Sequence, residues 1–559
     1  MKLRVLFCCT LMCPLAFSAS QGQNRPAPAA SASEIPHLRR QGTATQLIVD
    51  GKPFLALAGE LLNNSATGIE HMKPIWPKLV ASRFNTVLAG VSWAQIEPSE
   101  GKFDFSVLDG VIRDARSHNL RLVLLWFGSW KNSLSSYPPD WLKKDFERFP
   151  RAQVSEGRSI ELLSPFSDAN RDADVRAFAA LMRHIKTVDG QQHTVIMVQV
   201  ENEVGMHGDS RDRSQAANQA FQGPVPKELM DYLQRHKDTL IPEFRRVWEA
   251  AGFKTSGTWE EVFGKGAVTD GFFMAWYLAR YIGRVAEAGK AEYPLPMFLN
   301  AALYGIGRGP QPPPSGGRPW DTAMDVWKAG APRIDMLSPD IYSDADFVEF
   351  CAKYTQSGNP LFIPETGNGQ TVAARALYAF GRHDAIGFSP FGIDRPDRLG
   401  NSPDLAGVYD LLSQAAPLIL KHQGDGTMSA VLLGPKDPPQ KVRVGNYTLE
   451  AAFWPIRYSM PLLMPGEPPP GNPPLAAALF IAAGPDEYFA IGSGVKVTFS
   501  PNTPGPPLAG LGTVEAGAFV DGRWVPDIRL AGDDTGQGQN LFELQRHMGI
   551  QRFTLYRYR

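Results

Sequence analysis

The sequence predicts an α/β chain: a (β/α)8, or TIM, barrel followed by a C-terminal β-sandwich-like domain. Three observations carry this. Eight apolar strand-like runs alternate with helical patterns from about residue 54. The runs are near-continuous in apolar residues, as in parallel strands covered by helices. After about residue 420 helical periodicity fades, and short alternating runs between Pro/Gly turns replace it.

In order, the runs are FLALAGEL (54–61), NTVLAGVSW (85–93), RLVLLWFGSW (121–130), TVIMVQVE (194–201), MFLNAAL (297–303), DMLSPDIY (335–342), LFIPETG (361–367) and AIGFSPFG (385–392). Helical stretches such as VLDGVIRDARSHNL, DADVRAFAALMRHIKTV and SDADFVEFCAKYTQ lie between them. Eight units favour a closed barrel over a doubly wound open sheet. The interval 206–296 must hold extra helices and a lid, and 307–320 is a Pro/Gly loop. Later runs such as QKVRVGNYTLEAAF and EYFAIGSGVKVTFS read as sandwich strands.

At 559 residues the chain should hold two or three domains. Residues 1–19 read as a secretory signal peptide: Lys2 and Arg4 precede an apolar run too short for a membrane span. A lipoprotein cleavage at Cys13 fits less well, because Met12 is bulky. Residues 20–44 read as a flexible leader, 45–420 as the catalytic barrel and 421–559 as the β-rich domain. The expected location is therefore periplasmic or extracellular. Cys8, Cys9 and Cys13 fall in the signal, which leaves Cys351 alone and excludes an intrachain disulfide after cleavage. The net charge of −1 gives no support for a nucleic-acid partner. The ten histidines are scattered and no HExxH occurs, so neither a metal nor another cofactor is expected. A GxSxG elbow is also missing.

The segment TVIMVQVENEVG (194–205) raises the central question, because it carries two glutamates. Strict alternation puts Ile196, Val198 and Val200 on the helix-facing side. Met197, Gln199, Glu201 and Glu203 then face the barrel interior, with Glu203 nearest the mouth. For Asn202 to reach the cleft, the strand must distort at its end. In the seventh run Leu361, Ile363 and Glu365 share a face, and Glu365 ends the strand. Two carboxylates on the rims of strands four and seven suit a retaining glycosidase, which needs them about 5–5.5 Å apart. An inverting enzyme needs about 6.5–9.5 Å.

These residues resemble glycoside hydrolase clan A. VSWAQIEPSEGKFDFSVLDGVI (91–112) is similar to a W-x-x-x-E-P-x-x-G-x-F-D-F pattern of the β-galactosidase families of that clan. With VQVENEVG the closest resemblance is to family 35, in the branch with an extra, poorly characterised C-terminal β domain. The resemblance implies Glu203 as acid/base, Glu365 as nucleophile, Asn202 as the holder of the sugar 2-hydroxyl and Tyr342 as a donor to the nucleophile. The nucleophile should stay ionised beside that donor, while the partner's charge should shift Glu203 up. Departures occur at Val204, at WFGSWKN (126–132) and at GELLNNS (59–65), the segments that build the sugar subsite. Asn132, Trp130 and Asn64 are the expected sugar contacts there, whereas Glu97 is expected to fix a loop.

The chain is thus expected to be an exported retaining exo-β-galactosidase acting on oligosaccharides or polysaccharide side chains, such as xyloglucan-type chains of plant walls. The rivals are a clan A glycosidase for another sugar and a non-catalytic carbohydrate-binding barrel. The C-terminal domain is expected to brace the barrel or to help form a homo-oligomer interface.

Overall fold

The computed structural model describes residues 34–303, 316–395, 403–454, 474–538, 541–542 and 548–559. The expected signal peptide and most of the 307–320 loop lie outside the described residues.

All eight apolar runs become barrel strands. They are β1 (Ala56–Glu60), β2 (Thr86–Ser92), β3 (Arg121–Lys131), β4 (Val195–Asn202), β5 (Met297–Ala302), β6 (Met336–Ile341), β7 (Phe362–Thr366) and β8 (Gly387–Pro390). They pair in parallel, and β8 closes on β1 through Gly387↔Ala56 and Phe388↔Leu57. Period-2 alternation sorts the side chains. Ala58, Leu88, Val123, Leu125, Phe298 and Met336 fill the interior, while Leu57, Val87, Leu122, Leu124, Leu299 and Leu337 join the core under the helices.

The expected leader is partly folded. His37–Gln41 pairs antiparallel with Ala44–Val49, and Leu47 and Val49 enter the interior core. Leu38 packs against that same core, which the charged look of HLRRQ conceals. Asp50 ties this sheet to the starts of β3 and β4, bonding Arg121 at 2.6 Å and His193 at 2.9 Å.

Helix α1 (Asp168–Asp189) precedes β4 and packs against α2 (Ala267–Glu292), which precedes β5. The 206–296 interval holds four shorter helices besides α2 among the described residues. One of them, Trp259–Phe263, starts with a reciprocal Thr258/Glu261 capping box. Helices α3 (Val372–His383) and α4 (Pro403–His422) flank β8 in sequence.

Beyond α4, a six-stranded sheet faces a four-stranded one among the described residues. The strand Ala476–Ala482 explains the packing. Ala478 and Phe480 face the sandwich core, whereas Ala477, Leu479 and Ile481 face the barrel core. One sheet is therefore buried on both sides, and α3 lies against it. Gly381 permits this approach, since a Cβ there would stand 2.7 Å from Leu479 and 2.8 Å from Ala430.

Candidate active site

The end of β4 distorts as Asn202 requires. Glu201 (φ 63°) and Glu203 (φ 45°) both adopt left-handed backbone on either side of Asn202. That conformation is costly for residues with a Cβ and must be held by neighbours. The holders are visible. Asn132 N donates to Asn202 O at 3.2 Å. Glu203 N donates to Asn300 Oδ1 at 2.8 Å, and Ser133 Oγ donates to Glu203 O at 2.9 Å.

The two glutamates separate into different tasks. Glu201 is fully buried, and its carboxyl accepts from Ser129 N at 3.0 Å and Trp130 N at 2.6 Å. The ladder between β3 and β4 breaks there, with Trp126 opposite Val200 but Lys131 opposite Asn202. Glu201 fills the break. Gly128 makes room, because a Cβ there would lie 2.4 Å from Glu201 Oε1. Behind it, Asp174 accepts from Trp126 Nε1 at 2.9 Å and Ser129 Oγ at 2.7 Å. Burial raises Glu201 well above the usual carboxyl range, and the neighbouring charge of Asp174 adds to this. Burial also raises Asp174, against its hydrogen bonds to Glu201, Ser129 and Trp126. Together the two carboxyls hold the end of β3 through these bonds.

Glu203 is half-buried and does face the cleft. One oxygen each from Glu203, Glu365 and Asp340 lie within 4.8 Å of one another. This is the only such trio of ligating side chains among the described residues. Spacing along the chain gives no hint of it, because the members sit on three strands.

Glu365 reaches the cleft by a different route from simple alternation. Phe362 points inward and Ile363 outward, and the β7–β8 register shifts between Ile363 and Thr366. Glu365 faces in because of that irregularity, so it does not share a face with Ile363. On β4, Ile196 joins the interior core with Met197, and the β3–β4 register shifts beside them, so Ile196 does not share the helix-facing side with Val198.

Tyr342 Oη donates to Glu365 Oε1, as the resemblance implies. Burial, then the charge of Glu203, push Glu365 up to about 7, against Lys131 and the Tyr342 hydrogen bond, so an upward shift falls on the carboxyl expected to stay ionised. Burial raises Asp340 well above the usual range, reinforced by Glu365, Glu203 and Glu60. Asn300 Nδ2 donates to Asp340 Oδ2 at 2.8 Å. Asn300 thereby bridges the Asp340 side chain to the Glu203 backbone.

The expected sugar contacts divide. Asn202 is buried, with Oδ1 accepting from Lys131 Nζ at 2.9 Å and Nδ2 unpartnered. A free donor beside the two glutamates suits a sugar hydroxyl. Trp130 is a correction. It is fully buried, bonds Leu163 O through Nε1 at 3.1 Å, and packs on Tyr281 with ring centroids 4.5 Å apart. No face of the indole is free for a sugar, because α2 brings Tyr281 over it. Asn132 is exposed in a tight turn with φ 53°, and its backbone carbonyl bonds His207. Asn64 is exposed, and its Oδ1 accepts from Tyr137 Oη at 3.0 Å. Glu97 accepts from Trp93 Nε1 at 2.8 Å and Gly101 N at 2.7 Å, so it fixes its loop as expected.

Sequence reasoning passed over Asp340, Asn300, Lys131 and Glu60. Asp340 was findable, since it alternates with Tyr342 along one run. Lys131 was hidden by the β3 distortion.

A parallel eight-stranded barrel with opposed glutamates after strands four and seven is the arrangement of clan A glycoside hydrolases. Residues 71–263 match the family model Glyco_hydro_42, described as "Beta-galactosidase". The match takes in Asn202 and Glu203 and stops short of Glu365. It names family 42, where the motifs alone suggested family 35. Residues 405–542 match a model described as "Domain of unknown function (DUF5597)", the extra C-terminal domain. A beta-galactosidase of Xanthomonas manihotis is 29% identical over 191 residues, covering 33% of this chain and 29% of that protein. The chain thus spans under a third of the length of that curated relative. A beta-galactosidase structure from Marinomonas ef1 superposes with TM-score 0.44 at 14% identity, covering 66% of this chain and 60% of that one. One from Rahnella sp. R3 gives 0.45 at 17%, covering 65% and 57%. The catalytic domain of a Paenibacillus polymyxa beta-amylase gives 0.45 at 11%, covering 63% and 96%.

Proposed function

We propose that the protein is an exported exo-β-galactosidase that hydrolyses terminal β-galactosides with retention of configuration. The observation that carries the mechanism is the placing of Glu203 and Glu365 oxygens within 4.8 Å. That closest approach supports the spacing of about 5–5.5 Å between carboxyl groups that direct attack needs over the about 6.5–9.5 Å of an inverting enzyme. Glu365, ionised, attacks the anomeric carbon and forms a covalent glycosyl-enzyme. Glu203 protonates the leaving oxygen, then takes a proton from the incoming water. Tyr342 directs one oxygen of Glu365, and Asn202 Nδ2 receives the 2-hydroxyl.

The galactose assignment is supported by the family match over residues 71–263 and by the Xanthomonas relative. Oligosaccharides and side chains of plant wall polysaccharides, xyloglucan-type chains among them, are the proposed substrates. Export rests on the reading of residues 1–19 as a signal peptide. No helix among the described residues is long and apolar enough to cross a membrane.

The test is hydrolysis of a panel of chromogenic α- and β-glycosides by the wild type and by Glu365→Ala. Cleavage confined to the β-galactoside, and lost in the variant, is expected. Preference for another β-glycoside would replace the sugar and keep the chemistry. A wild type that binds galactosides and cuts nothing would favour a carbohydrate-binding barrel.

A further inference from the structure

On β1, Ala56 and Ala58 face the barrel interior. Period 2 then directs Glu60, the last residue of the strand, inward at the mouth. Glu60 is 2% exposed, and its Oε1 has no hydrogen-bond partner. An unpaired buried carboxyl oxygen is costly unless something else satisfies it. The charged groups that act on it are Glu365, Lys131, Glu203 and Asp394, which places it near Glu203 and Glu365 at the barrel mouth. Asp394 lies just beyond β8 and is 7% exposed. Leu62 N holds its Oδ1 at 2.9 Å, and its Oδ2 is also unpartnered.

β8 stands across the closed barrel from β4, and β1 is its neighbour. A sugar with its anomeric carbon between Glu203 and Glu365, and its 2-hydroxyl at Asn202, turns its far edge toward β8 and β1. We propose that Glu60, backed by Asp394, determines sugar specificity: its free oxygen binds the ring hydroxyls farthest from the scissile bond, at positions 3 and 4. Position 4 is where galactosides differ from glucosides. This assignment rests on the glycosidase reading above and adds the residues that choose the sugar.

The test compares wild type, Glu60→Gln and Asp394→Asn on nitrophenyl β-galactoside and on its 3-deoxy, 4-deoxy and 6-deoxy analogues. Glu60→Gln is expected to lower kcat/KM on the parent about a hundredfold, because a buried polar contact is mispaired. On the 3-deoxy or 4-deoxy analogue the same variant should lose less than about threefold further, since the contact is already gone. The 6-deoxy analogue should lose as much as the parent. Asp394→Asn should show the same pattern with smaller losses, and it decides the matter should Glu60→Gln melt well below the wild type. Equal losses on every analogue would reassign Glu60 as a positioning residue, and no loss on the parent would remove it from the site. A wild type inactive on the parent galactoside would overturn this assignment, and one inactive on every glycoside of the panel would overturn the glycosidase reading as well.

Discussion

The Tyr342 hydroxyl, just past the end of β6, donates to Oε1 of Glu365 near the end of the adjacent β7. The bond favours the ionised carboxylate and opposes the burial that raises Glu365 to about 7. Tyr342→Phe removes that support. The pKa of Glu365 then rises further, and the acid limb of kcat/KM moves to higher pH. The limb is expected near 7 in the wild type and clearly above it in the variant, with kcat lower by about ten- to a hundredfold. A pH–rate profile of both proteins checks this.

Glu365 also makes a statement about stability. Its folded pKa, about 7, exceeds the ordinary 4.5, so the folded state prefers it protonated. That stabilisation is fully present below about pH 4.5 and is lost as pH rises through 7. Glu365→Gln cannot ionise and keeps the neutral form. The variant should melt above the wild type at pH 8, by at most about 3 kcal/mol, and match it near pH 4. Melting curves at the two pH values measure the difference.

Glu201 is predicted to be structural. Glu201→Ala strips partners from the Ser129 and Trp130 amides and leaves a cavity beside Asp174. A loss of about 3 kcal/mol or more is expected, with activity falling as the Lys131–Asn202 contact loosens. Denaturant unfolding monitored by tryptophan fluorescence gives the number. Wild-type stability with only a kcat defect would mean that Glu201 belongs to the chemistry.

The contact between α3 and the C-terminal sheet yields a fourth prediction. Gly381→Leu forces a side chain into Leu479 and Ala430, backed by a sheet packed on its far face. Overpacking of this kind costs about 1–3 kcal/mol and here has little room to relax. A lower melting temperature with unchanged KM is expected, because the site lies at the barrel mouth. A variant lacking residues 424–559 should be insoluble, since Leu432, Leu479, Ile481 and Ile550 belong to the core shared with the barrel.

Much of this was legible before folding because barrel strands are apolar runs with hard boundaries. Glu203, Glu365 and Tyr342 each stand at or just past a strand end, the position that points toward a mouth. What stayed hidden involves departures from alternation. The left-handed turns at Glu201 and Glu203, the break in β3 and the shift in β7 each reset which side chain faces in. Trp130 looked like a sugar platform because nothing local reveals Tyr281 arriving from α2. The cluster of Glu60, Asp340, Glu203 and Glu365 is a product of barrel closure, which joins residues some three hundred positions apart. The strand at His37–Gln41 was hidden by its arginines, since only one of its faces needs to be apolar.

The most direct test of the central claim follows the first-formed product by proton NMR as the enzyme cuts an aryl β-galactoside. The retaining mechanism proposed for Glu203 and Glu365, whose nearest oxygens lie within 4.8 Å, predicts that β-galactose appears first, with the α-anomer growing in later by mutarotation. Initial release of α-galactose would mean inversion, and would contradict the assignment of Glu365 as the nucleophile.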